Sequence, residues 1–201
     1  MLGVDEVRRA LLAYQPTLHE GELQRRAAVA IVLTENSGSL DLLLIERAKR
    51  AGDPWSGQMA FPGGRVDAAD ATSRAAAERE TLEEVGLSLS GSEYLGRLDD
   101  LPGLSTPPND FAVSAFVFYA SEPGALALNH EVQDAFWFPL NALSERERYI
   151  DHPAEVESGR HFPGILVGEP GRHVVWGLTY RFLERLLKIL DQPLPEQTLG
   201  R

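Results

Sequence analysis

The segment from Ala71 to Val85 contains neither glycine nor proline and is rich in alanine and glutamate, which favour the α-helix. Gly86 follows directly, and glycine commonly ends a helix because it accepts the left-handed conformation. This composition predicts a helix over 71–85 in the middle of the chain. A helix of this length must bury one side against other elements, so its neighbours in the sequence decide the fold class.

Short apolar runs typical of β-strands lie on both sides of this helix. Residues 27–34 and 40–47 are rich in leucine and β-branched residues and are separated by the turn-forming sequence ENSGS, which predicts a pair of strands. Further strand candidates cover residues 93–101, 111–120 and 134–140. Helical spacing predicts two more helices, one containing Val4, Val7, Leu11 and Leu12 and one over 174–190. The predicted fold class is α/β (α+β), a mixed domain with strands before and after a central helix and a final helix.

The length of 201 residues suits one sizeable domain. We predict an N-terminal helical segment at 1–25 that packs on the domain, the domain itself at 26–190, and a flexible polar tail at 191–201. Residues 151–173 are rich in glycine, proline and histidine, which predicts a long loop or a hairpin.

Charge and composition exclude several functions. The formal net charge is −11, from 30 acidic and 19 basic residues, so binding to nucleic acid or to an anionic membrane is not expected. The chain has no cysteine, which rules out disulfides, thiolate nucleophiles and cysteine-based zinc sites. There is neither a signal-peptide pattern nor an apolar run long enough to span a membrane, and the expected location is cytoplasmic.

Three glutamates, Glu80, Glu83 and Glu84, fall close together on the predicted helix. At about 100° per residue they lie about 160°, 100° and 200° from Leu82, whose side carries the apolar residues. One interpretation is a solvated acidic face, as most charged runs on helices are. The other is a site for a hard divalent cation, because Mg²⁺ and Mn²⁺ take oxygen ligands and neutralise the repulsion between carboxylates.

The residues around the acidic helix favour the cation site. The sequence FPGG at 61–64 predicts a tight turn in which Gly63 and Gly64 let the backbone approach a ligand closely. Such a turn allows the Gly63 carbonyl to join the carboxylates. Arg79 borders the acidic face, where its guanidinium can hold carboxylates in place without competing for the metal. The alternative for Arg79 is an ordinary surface ion pair.

The stretch from Gly63 to Leu87 resembles the signature of the Nudix hydrolase family. That signature runs Gly, five residues, Glu, seven residues, Arg-Glu, an apolar residue, any residue, Glu-Glu, any residue, Gly and an apolar residue. The matching residues are Gly64, Arg79, Glu80, Glu83, Glu84, Gly86 and Leu87. Asp70 stands where the first Glu belongs, one residue too far from Arg79, and Thr81 occupies an apolar position. Asp70 is therefore either a shorter metal ligand or a cap of the helix N-terminus.

The resemblance implies a Nudix-type fold, in which a mixed β-sheet lies between helices, and a pyrophosphohydrolase. In this family water attacks phosphorus in a nucleoside diphosphate that is linked to another moiety, with the help of Mg²⁺ or Mn²⁺. The implied metal ligands are the Gly63 carbonyl, Glu80, Glu83 and Glu84, and the implied catalytic residues are these three glutamates with Arg79.

The general base in this family is a glutamate of the signature or a carboxylate from a later loop. Glu131 is our candidate because it precedes a strand in a polar loop, the alternative being a surface glutamate. Arg47 and Arg65 are candidates for phosphate contacts, with simple surface exposure as the alternative. His152, His161 and His173 lack the spacing of metal-binding pairs and are interpreted as incidental.

Four segments, LLLIER, GQMAFPGGRVDAAD, HEVQDAFWFPL and VVWGLTYRFL, resemble the coenzyme A pyrophosphatase branch of the family. The expected substrate is therefore coenzyme A or a coenzyme A derivative. Asp53 stands where that branch usually has a basic residue. Another substrate stays open for this reason: ADP-ribose or an ADP-sugar, a dinucleotide or a nucleoside triphosphate. A non-catalytic nucleotide-binding module and a homodimer also stay open.

Overall fold

The structure is a computed structural model and describes residues 2–19, 25–52, 55–103, 110–153 and 161–195. The helices are α1 (Val4–Ala13), α2 (Ser73–Val85) and α3 (Gly177–Ile189), with 3₁₀ turns at Leu140–Ser144 and Arg146–Arg148. The main sheet contains β1 (Arg25–Asn36), β2 (Ser39–Arg47), β3 (Met59–Ala60), β4 (Gly63–Arg65), β5 (Glu93–Arg97), β6 (Leu101–Pro102), β7 (Phe111–Tyr119) and β8 (Val132–Pro139). A smaller sheet contains β9 (Tyr149–Pro153), β10 (His161–Leu166) and β11 (Val174–Val175). Asp53 and the end of the predicted tail, 196–201, lie outside the described residues.

The main sheet is mixed. β1 pairs in parallel with β7, and the other described pairings are antiparallel, in the order β3-β2-β1-β7-β5. β1 and β2 pair with each other at the end near their connecting turn, from Leu33–Leu42 to Asn36–Ser39. Farther from the turn, the segment 59–65 pairs with β2 through β3 and with β1 through β4. The glycine bend is thereby held between the two central strands.

The sheet separates two apolar clusters. On one face, Leu42 and Leu44 belong to the cluster that contains the buried residues of α1 and α3. On the other face, Leu43 and Ile45 pack in the cluster of α2. Alternate residues of a strand point to opposite faces, so the continuous apolar run of β2 serves both clusters. The predicted fold class, a mixed sheet between helices, is confirmed.

The turn between β1 and β2 shows how local sequence sets the register of these strands. Ser37 and Gly38 both have positive φ, 50° and 81°, as a two-residue type I′ turn requires. Asn36 and Ser39 are then direct partners across the hairpin. The predicted strand pair is confirmed.

The two ends of α2 have different local causes. The Thr72 hydroxyl accepts a hydrogen bond from the Ala75 N–H at 3.1 Å and caps the N-terminus. Gly86 has φ 70° and ends the helix in the left-handed conformation. The predicted glycine end is confirmed, whereas the helix begins at Ser73 and not at Ala71, and Asp70 is not its cap.

The other predicted helices and the predicted hairpin need smaller corrections. Leu12 is 84% exposed, so α1 buries Val7 and Leu11 without it. Val174 and Val175 form β11, and α3 begins after them, because β-branched residues pair well in a strand. The segment 151–173 does contain a hairpin, in which β9 and β10 pair from Tyr149–Ile165 to Pro153–His161. In the described part of the chain, no helix has both the length and the apolar character needed to cross a membrane.

Two aspartates attach the N-terminal segment to the sheet. The Asp99 carboxylate accepts hydrogen bonds from the Tyr14 hydroxyl and the Thr17 N–H, both at 2.7 Å. Asp100 accepts one from the His19 N–H at 2.9 Å. Burial and the neighbouring Asp99 raise the pKa of Tyr14 to about 12. These contacts hold the residues after α1 against the domain.

Candidate active site

Small side chains bring α2 close to the sheet. Ala28 and Ala30 of β1 and Ala76 and Ala77 of α2 are all fully buried in one cluster. Alanine lets a helix backbone approach a strand closely, since there is little side chain to separate them. The last turns of α2 therefore reach the glycine bend at β4.

Glu84 is the most deeply buried carboxylate of α2. The residue is 5% exposed, and its Oε2 accepts a hydrogen bond from the Gly63 N–H at 2.8 Å. Burial raises the pKa of Glu84 to about 8, with smaller raising contributions from the charges of Glu80 and Glu131. The Gly63 hydrogen bond and the charge of Arg47 oppose this rise. Such a carboxylate is costly to ionise unless a cation lies nearby.

The burial of Glu84 contradicts the orientation predicted for α2. Leu82, which marked the predicted apolar face, is 51% exposed, whereas Glu84 and Thr81 are buried. The Thr81 hydroxyl donates to the Ala77 carbonyl at 2.7 Å, so its polar group is satisfied within the helix. The helix is rotated relative to the prediction because alanine contacts with the sheet outweigh the exposure of one leucine.

Glu80 lies against the second glycine of the bend. A Cβ on Gly64 would be 2.4 Å from Glu80 Oε1 and 2.5 Å from its Cδ, so this carboxylate occupies the space that any other residue would fill. Burial raises the pKa of Glu80, and its hydrogen bond with Arg79 opposes the rise. The glycine pair thus contributes to the site through the Gly63 N–H and through the missing side chain of Gly64, whose place the Glu80 carboxylate takes.

Arg79 is fixed by several acceptors at once. Its Nε and Nη2 each donate to one oxygen of Asp70 at 3.0 Å, a bidentate pair. Its Nη1 donates to Glu80 at 2.9 Å, and its Nη2 also donates to the Arg65 carbonyl at 3.1 Å. The hydrogen bond to Arg79 lowers the pKa of Asp70. Asp70, which sequence reasoning treated as a ligand or a cap, is the anchor of this arginine.

Glu83 lies at the rim of the acidic helix. Its side chain is 54% exposed and its Oε2 accepts a hydrogen bond from Arg79 Nη1 at 3.2 Å. Within the described ranges, the group of carboxylates that could share one ion contains Glu80, Glu84 and Glu131 and does not include Glu83. The metal and catalytic roles predicted for Glu83 remain predictions.

Glu131 reaches α2 because the loop after β7 closes the C-terminal end of the helix. The Ala127 N–H donates to the Val85 carbonyl at 2.8 Å, and the Asn129 N–H donates to the Glu84 carbonyl at 3.0 Å. Two residues later, the Glu131 carboxylate lies so that single oxygens of Glu80, Glu84 and Glu131 are all within 4.8 Å of one another. We call these residues the carboxylate triad.

Both predicted phosphate contacts lie near the triad, in different settings. Arg47 is partly buried at the end of β2, and its charge acts on Glu84. Arg65 is exposed at the end of β4, where its carbonyl accepts a hydrogen bond from Arg79. The charge of Arg47 therefore acts on a member of the triad, whereas the side chain of Arg65 faces solvent.

The triad suits a divalent cation held by oxygen. The ligands are carboxylates, one of them buried with a raised pKa, and the backbone of two glycines lies directly against Glu84 and Glu80. Hard cations prefer such ligands, and binding one would offset both the burial of Glu84 and the mutual repulsion of three acids. The predicted divalent-cation site is thus supported by the donor set, whereas the identity of the ion remains a prediction.

A second group of ionisable residues lies on the opposite face of the sheet. Glu46 of β2 and Asp134 of β8 are direct partners across the strands, and His173 lies within 4.8 Å of both. Arg172 donates to Glu46 at 2.6 Å. His173 is 5% exposed, and its interpretation as incidental to metal binding stays a prediction.

This second group is an unfavourable metal site because of the proton on His173. The ring Nδ1 accepts a hydrogen bond from the Glu169 N–H at 3.1 Å, so the neutral ring carries its proton on Nε2. Nε2 is the atom that faces Glu46 and Asp134, at 3.5 and 3.6 Å, and a protonated nitrogen does not bind metal. We interpret the group as an ion-pair network that attaches the loop before β11 to the end of β2.

Comparison with known proteins identifies the family. The model of the NUDIX domain matches residues 24–157. The chain belongs to the Nudix family. Relatives named uncharacterized Nudix hydrolase NudL include one from Enterobacter sp. (strain 638), 30% identical over 189 residues that cover 92% of this chain and 93% of the relative. Another, from Salmonella paratyphi B (strain ATCC BAA-1250 / SPB7), is 34% identical over 172 residues that cover 84% of each chain.

Solved Nudix structures share the fold. A MutT/nudix family protein from Enterococcus faecalis aligns with a TM-score of 0.56 at 17% identity, covering 95% of this chain and 75% of that chain. A NUDIX hydrolase from Alicyclobacillus acidocaldarius aligns with a TM-score of 0.50 at 20% identity, covering 63% of this chain and 85% of that chain. The predicted family and enzyme class, a Nudix pyrophosphohydrolase acting on nucleoside diphosphate derivatives, are confirmed.

The two glycines of the Nudix bend predict separable mutant effects. Gly63 has φ 150°, and an added Cβ would meet the Ala28 carbonyl at 2.3 Å, so Gly63→Ala is expected to cost about 2–4 kcal/mol of unfolding free energy. At Gly64 the nearest atoms to an added Cβ belong to the carboxylate end of the flexible Glu80 side chain, which can move away. Gly64→Ala is therefore expected to lower the unfolding free energy by less than about 1 kcal/mol. It should still weaken Mn²⁺ binding by about tenfold or more by displacing Glu80.

Urea unfolding and equilibrium Mn²⁺ binding of both glycine variants measure these effects. Gly91 is a matched control, because nothing lies within 4 Å of a Cβ added there. Equal losses of stability in Gly63→Ala and Gly64→Ala, or undiminished Mn²⁺ binding in Gly64→Ala, would contradict the description of the bend.

Proposed function

We propose that this Nudix hydrolase uses Mg²⁺ or Mn²⁺ to cleave the diphosphate of coenzyme A or a coenzyme A derivative. The observation that carries the proposal is the buried Glu84, hydrogen-bonded to the Gly63 N–H, within 4.8 Å of carboxylate oxygens of Glu80 and Glu131. The residues proposed to hold the cation are Glu80, Glu84 and Glu131, with the Gly63 carbonyl. Glu83 would join them after turning away from Arg79.

The chemistry requires positive charge at the diphosphate. When bound, a divalent cation supplies it, stabilising the charge that develops on the phosphoryl oxygens and making the attacking water more acidic. The contribution of Arg79 is indirect: anchored by Asp70, it keeps Glu80 in place through one carboxylate oxygen and leaves the other oxygen of Glu80 available. Glu84 contributes a charge whose position is fixed by the Gly63 N–H.

Glu131 is the proposed general base. Of the triad it is the member that comes from a loop, and its side chain is 39% exposed, which leaves it accessible to water. In the proposed step the water oxygen bonds to phosphorus, its proton passes to the Glu131 carboxylate oxygen that the cation does not use, and the bridging P–O bond breaks with its electron pair on the leaving phosphate. Arg47, whose charge already acts at the triad, is the proposed contact for a phosphoryl oxygen, with Arg65 at the exposed edge.

The choice of coenzyme A rests on the four sequence segments that resemble the coenzyme A pyrophosphatase branch. Two of them form β2 and β8, which border the site, and a third contains the glycine bend. ADP-ribose or an ADP-sugar, a dinucleotide and a nucleoside triphosphate are the alternative substrates for the same residues. We also propose a cytoplasmic location and a homodimer. Sedimentation of the purified chain measures the oligomeric state.

A substrate panel tests the proposal. Coenzyme A, ADP-ribose, a diadenosine polyphosphate and a nucleoside triphosphate are incubated with the purified chain and Mg²⁺ or Mn²⁺, and the products are separated by chromatography. We expect coenzyme A to yield 3′,5′-ADP and phosphopantetheine, and chelation to abolish turnover until metal is restored. Release of pyrophosphate from the nucleoside triphosphate, with coenzyme A left intact, would contradict the assignment of coenzyme A as the substrate.

The controls of the substrate panel distinguish a hydrolase from a protein that binds nucleotides without cleaving them. Nucleotide binding by the wild-type chain without any product would favour the non-catalytic module. Turnover that persists after thorough chelation would contradict the role of the triad. Activity in the wild type that disappears in Glu84→Gln shows that the measured hydrolysis belongs to this chain and not to a contaminant.

A further inference from the structure

Each member of the carboxylate triad is balanced by a different arginine. Glu80 accepts a hydrogen bond from Arg79, and the charge of Arg47 acts on Glu84. The third arginine is Arg50, which neither the Nudix signature nor the proposed function assigns. Its Nη2 donates to Glu131 Oε1 at 2.6 Å.

Arg50 and Arg79 differ in how firmly they are held. Arg79 is anchored by both oxygens of Asp70 and by a backbone carbonyl. Among the described residues, the guanidinium of Arg50 makes its hydrogen bond to Glu131 alone, and its side chain is 47% exposed. The loss of one exposed ion pair costs little, about 1 kcal/mol or less, so Arg50 can leave Glu131 where Arg79 cannot leave Asp70.

The backbone around Arg50 keeps it within reach of the triad. The Arg47 N–H donates to the Gln58 carbonyl and the Gly57 N–H donates to the Arg47 carbonyl, both at 3.0 Å, which closes the base of the loop that follows β2. The Ala48 N–H donates to the Glu131 carbonyl at 2.8 Å. A side chain that swings away from Glu131 therefore stays beside the site, on a stem tied to Glu131 itself.

A divalent cation and the Arg50 guanidinium compete for Glu131. The cation and the guanidinium both bind the negative charge of the Glu131 carboxylate, and a cation held by the triad would repel a guanidinium at the same oxygen. A released arginine needs a new anionic partner, and the diphosphate of the substrate offers two phosphoryl groups whose oxygens match its planar donors. The same arginine thus fits two partners in succession.

We propose that Arg50 is a substrate-binding residue of this site, which covers Glu131 in the free enzyme and transfers to the substrate diphosphate when the divalent cation binds. The inference rests on the proposed function, because it assumes that the triad takes a cation and that the substrate carries a diphosphate. Arg50 then weakens cation binding in the absence of substrate and strengthens diphosphate binding in its presence.

Two binding measurements on the full chain test the proposal without using activity. The first is the affinity for Mn²⁺ alone, and the second is the affinity for methylenediphosphonate, a non-hydrolysable diphosphate, at saturating Mn²⁺. In Arg50→Gln we expect Mn²⁺ to bind about fivefold more tightly, because the competing ion pair is gone. Methylenediphosphonate is expected to bind about tenfold more weakly, because hydrogen bonds to a charged partner are lost. Arg50→Lys keeps the charge and should recover part of the diphosphate affinity.

Arg74 provides a matched control. It is also 47% exposed and is paired with Glu78, a glutamate outside the triad, at 3.2 Å. Arg74→Gln should change neither affinity. For Arg50→Gln, an unchanged Mn²⁺ affinity or an unchanged methylenediphosphonate affinity overturns the inference. Failure of the wild-type chain to bind Mn²⁺ at all would instead overturn the proposed function, so the two failures are distinguishable.

Discussion

Replacing Glu84 with glutamine is expected to lower kcat by roughly 100- to 1000-fold, the loss typical of removing one preorganised charged group from an active site. The same substitution should make the metal-free protein more stable. Glutamine has nearly the volume of glutamate, and its carbonyl oxygen can accept the Gly63 N–H hydrogen bond at the position of Oε2. Its amide can donate toward Glu80 and Glu131, which the carboxylate repels.

The stability gain follows from the sign of the pKa shift. Burial raises the pKa of Glu84 from 4.5 to about 8 in the folded protein. Between these values the unfolded chain holds the ionised form and the folded chain the protonated form, so the free energy of unfolding falls as the pH rises through this window. At neutral pH the cost is on the order of 3 kcal/mol, which Glu84→Gln should recover.

Urea unfolding without metal, at about pH 5 and about pH 8, measures this gain, which should be larger at the higher pH. Glu83→Gln is the matched comparison, since it makes the same change one residue earlier on the exposed rim of α2. The Nudix signature treats the two glutamates alike, whereas the structure predicts a stability gain for Glu84 alone. Wild-type turnover in Glu84→Gln at saturating Mg²⁺ would contradict the site assignment.

Features that depend on a few neighbouring residues could be predicted from the sequence. The hairpin turn at Ser37 and Gly38 needs positive φ at two adjacent positions, and the end of α2 needs the left-handed conformation of Gly86. Both are decided by local steric constraints. The order of the longer strands and helices followed from apolar runs and helical spacing, and the fold class followed from that order, whereas the short strands such as β3 and β4 were not predicted.

The orientation of α2 could not be predicted from the pattern of apolar residues. Hydrophobicity alone places Leu82 inside and Glu84 outside, and the structure has the reverse. Burying a carboxylate is unfavourable by itself, and the cost is reduced here by the Gly63 N–H and the charge of Arg47. A functional site is where such a local rule is expected to fail, because binding a cation there requires acids in a confined space.

Contacts between segments that are distant in the sequence could not be predicted from the sequence pattern either. Glu131 joins Glu80 and Glu84 because the loop after β7 closes the end of α2, and the partner of Arg79 turned out to be Asp70. No spacing rule links residues 46, 134 and 173, which meet because β2 and β8 pair. The sequence supplied the types of residues in the site, and the sheet topology decided which of them meet.

Binding of Mn²⁺ should be strongly linked to pH. Glu84 has a pKa of about 8, so below that pH a cation must displace its proton, and the Mn²⁺ affinity is expected to rise about tenfold per pH unit from about pH 6 to about pH 8. Above this range Glu84 is already ionised and the affinity should level off. Calorimetry in buffers of different ionisation enthalpy should show about one proton released per Mn²⁺ at neutral pH.

The Glu84→Gln variant separates this linkage from other titrations. It should bind Mn²⁺ more weakly, and its affinity should depend far less on pH because the displaced proton is gone. A wild-type affinity that stays constant from about pH 6 to about pH 8 would mean that Glu84 is ionised without metal, contrary to its burial. The same burial that destabilises the metal-free fold at neutral pH therefore also lowers the Mn²⁺ affinity there, since the cation must replace the proton that Glu84 otherwise keeps.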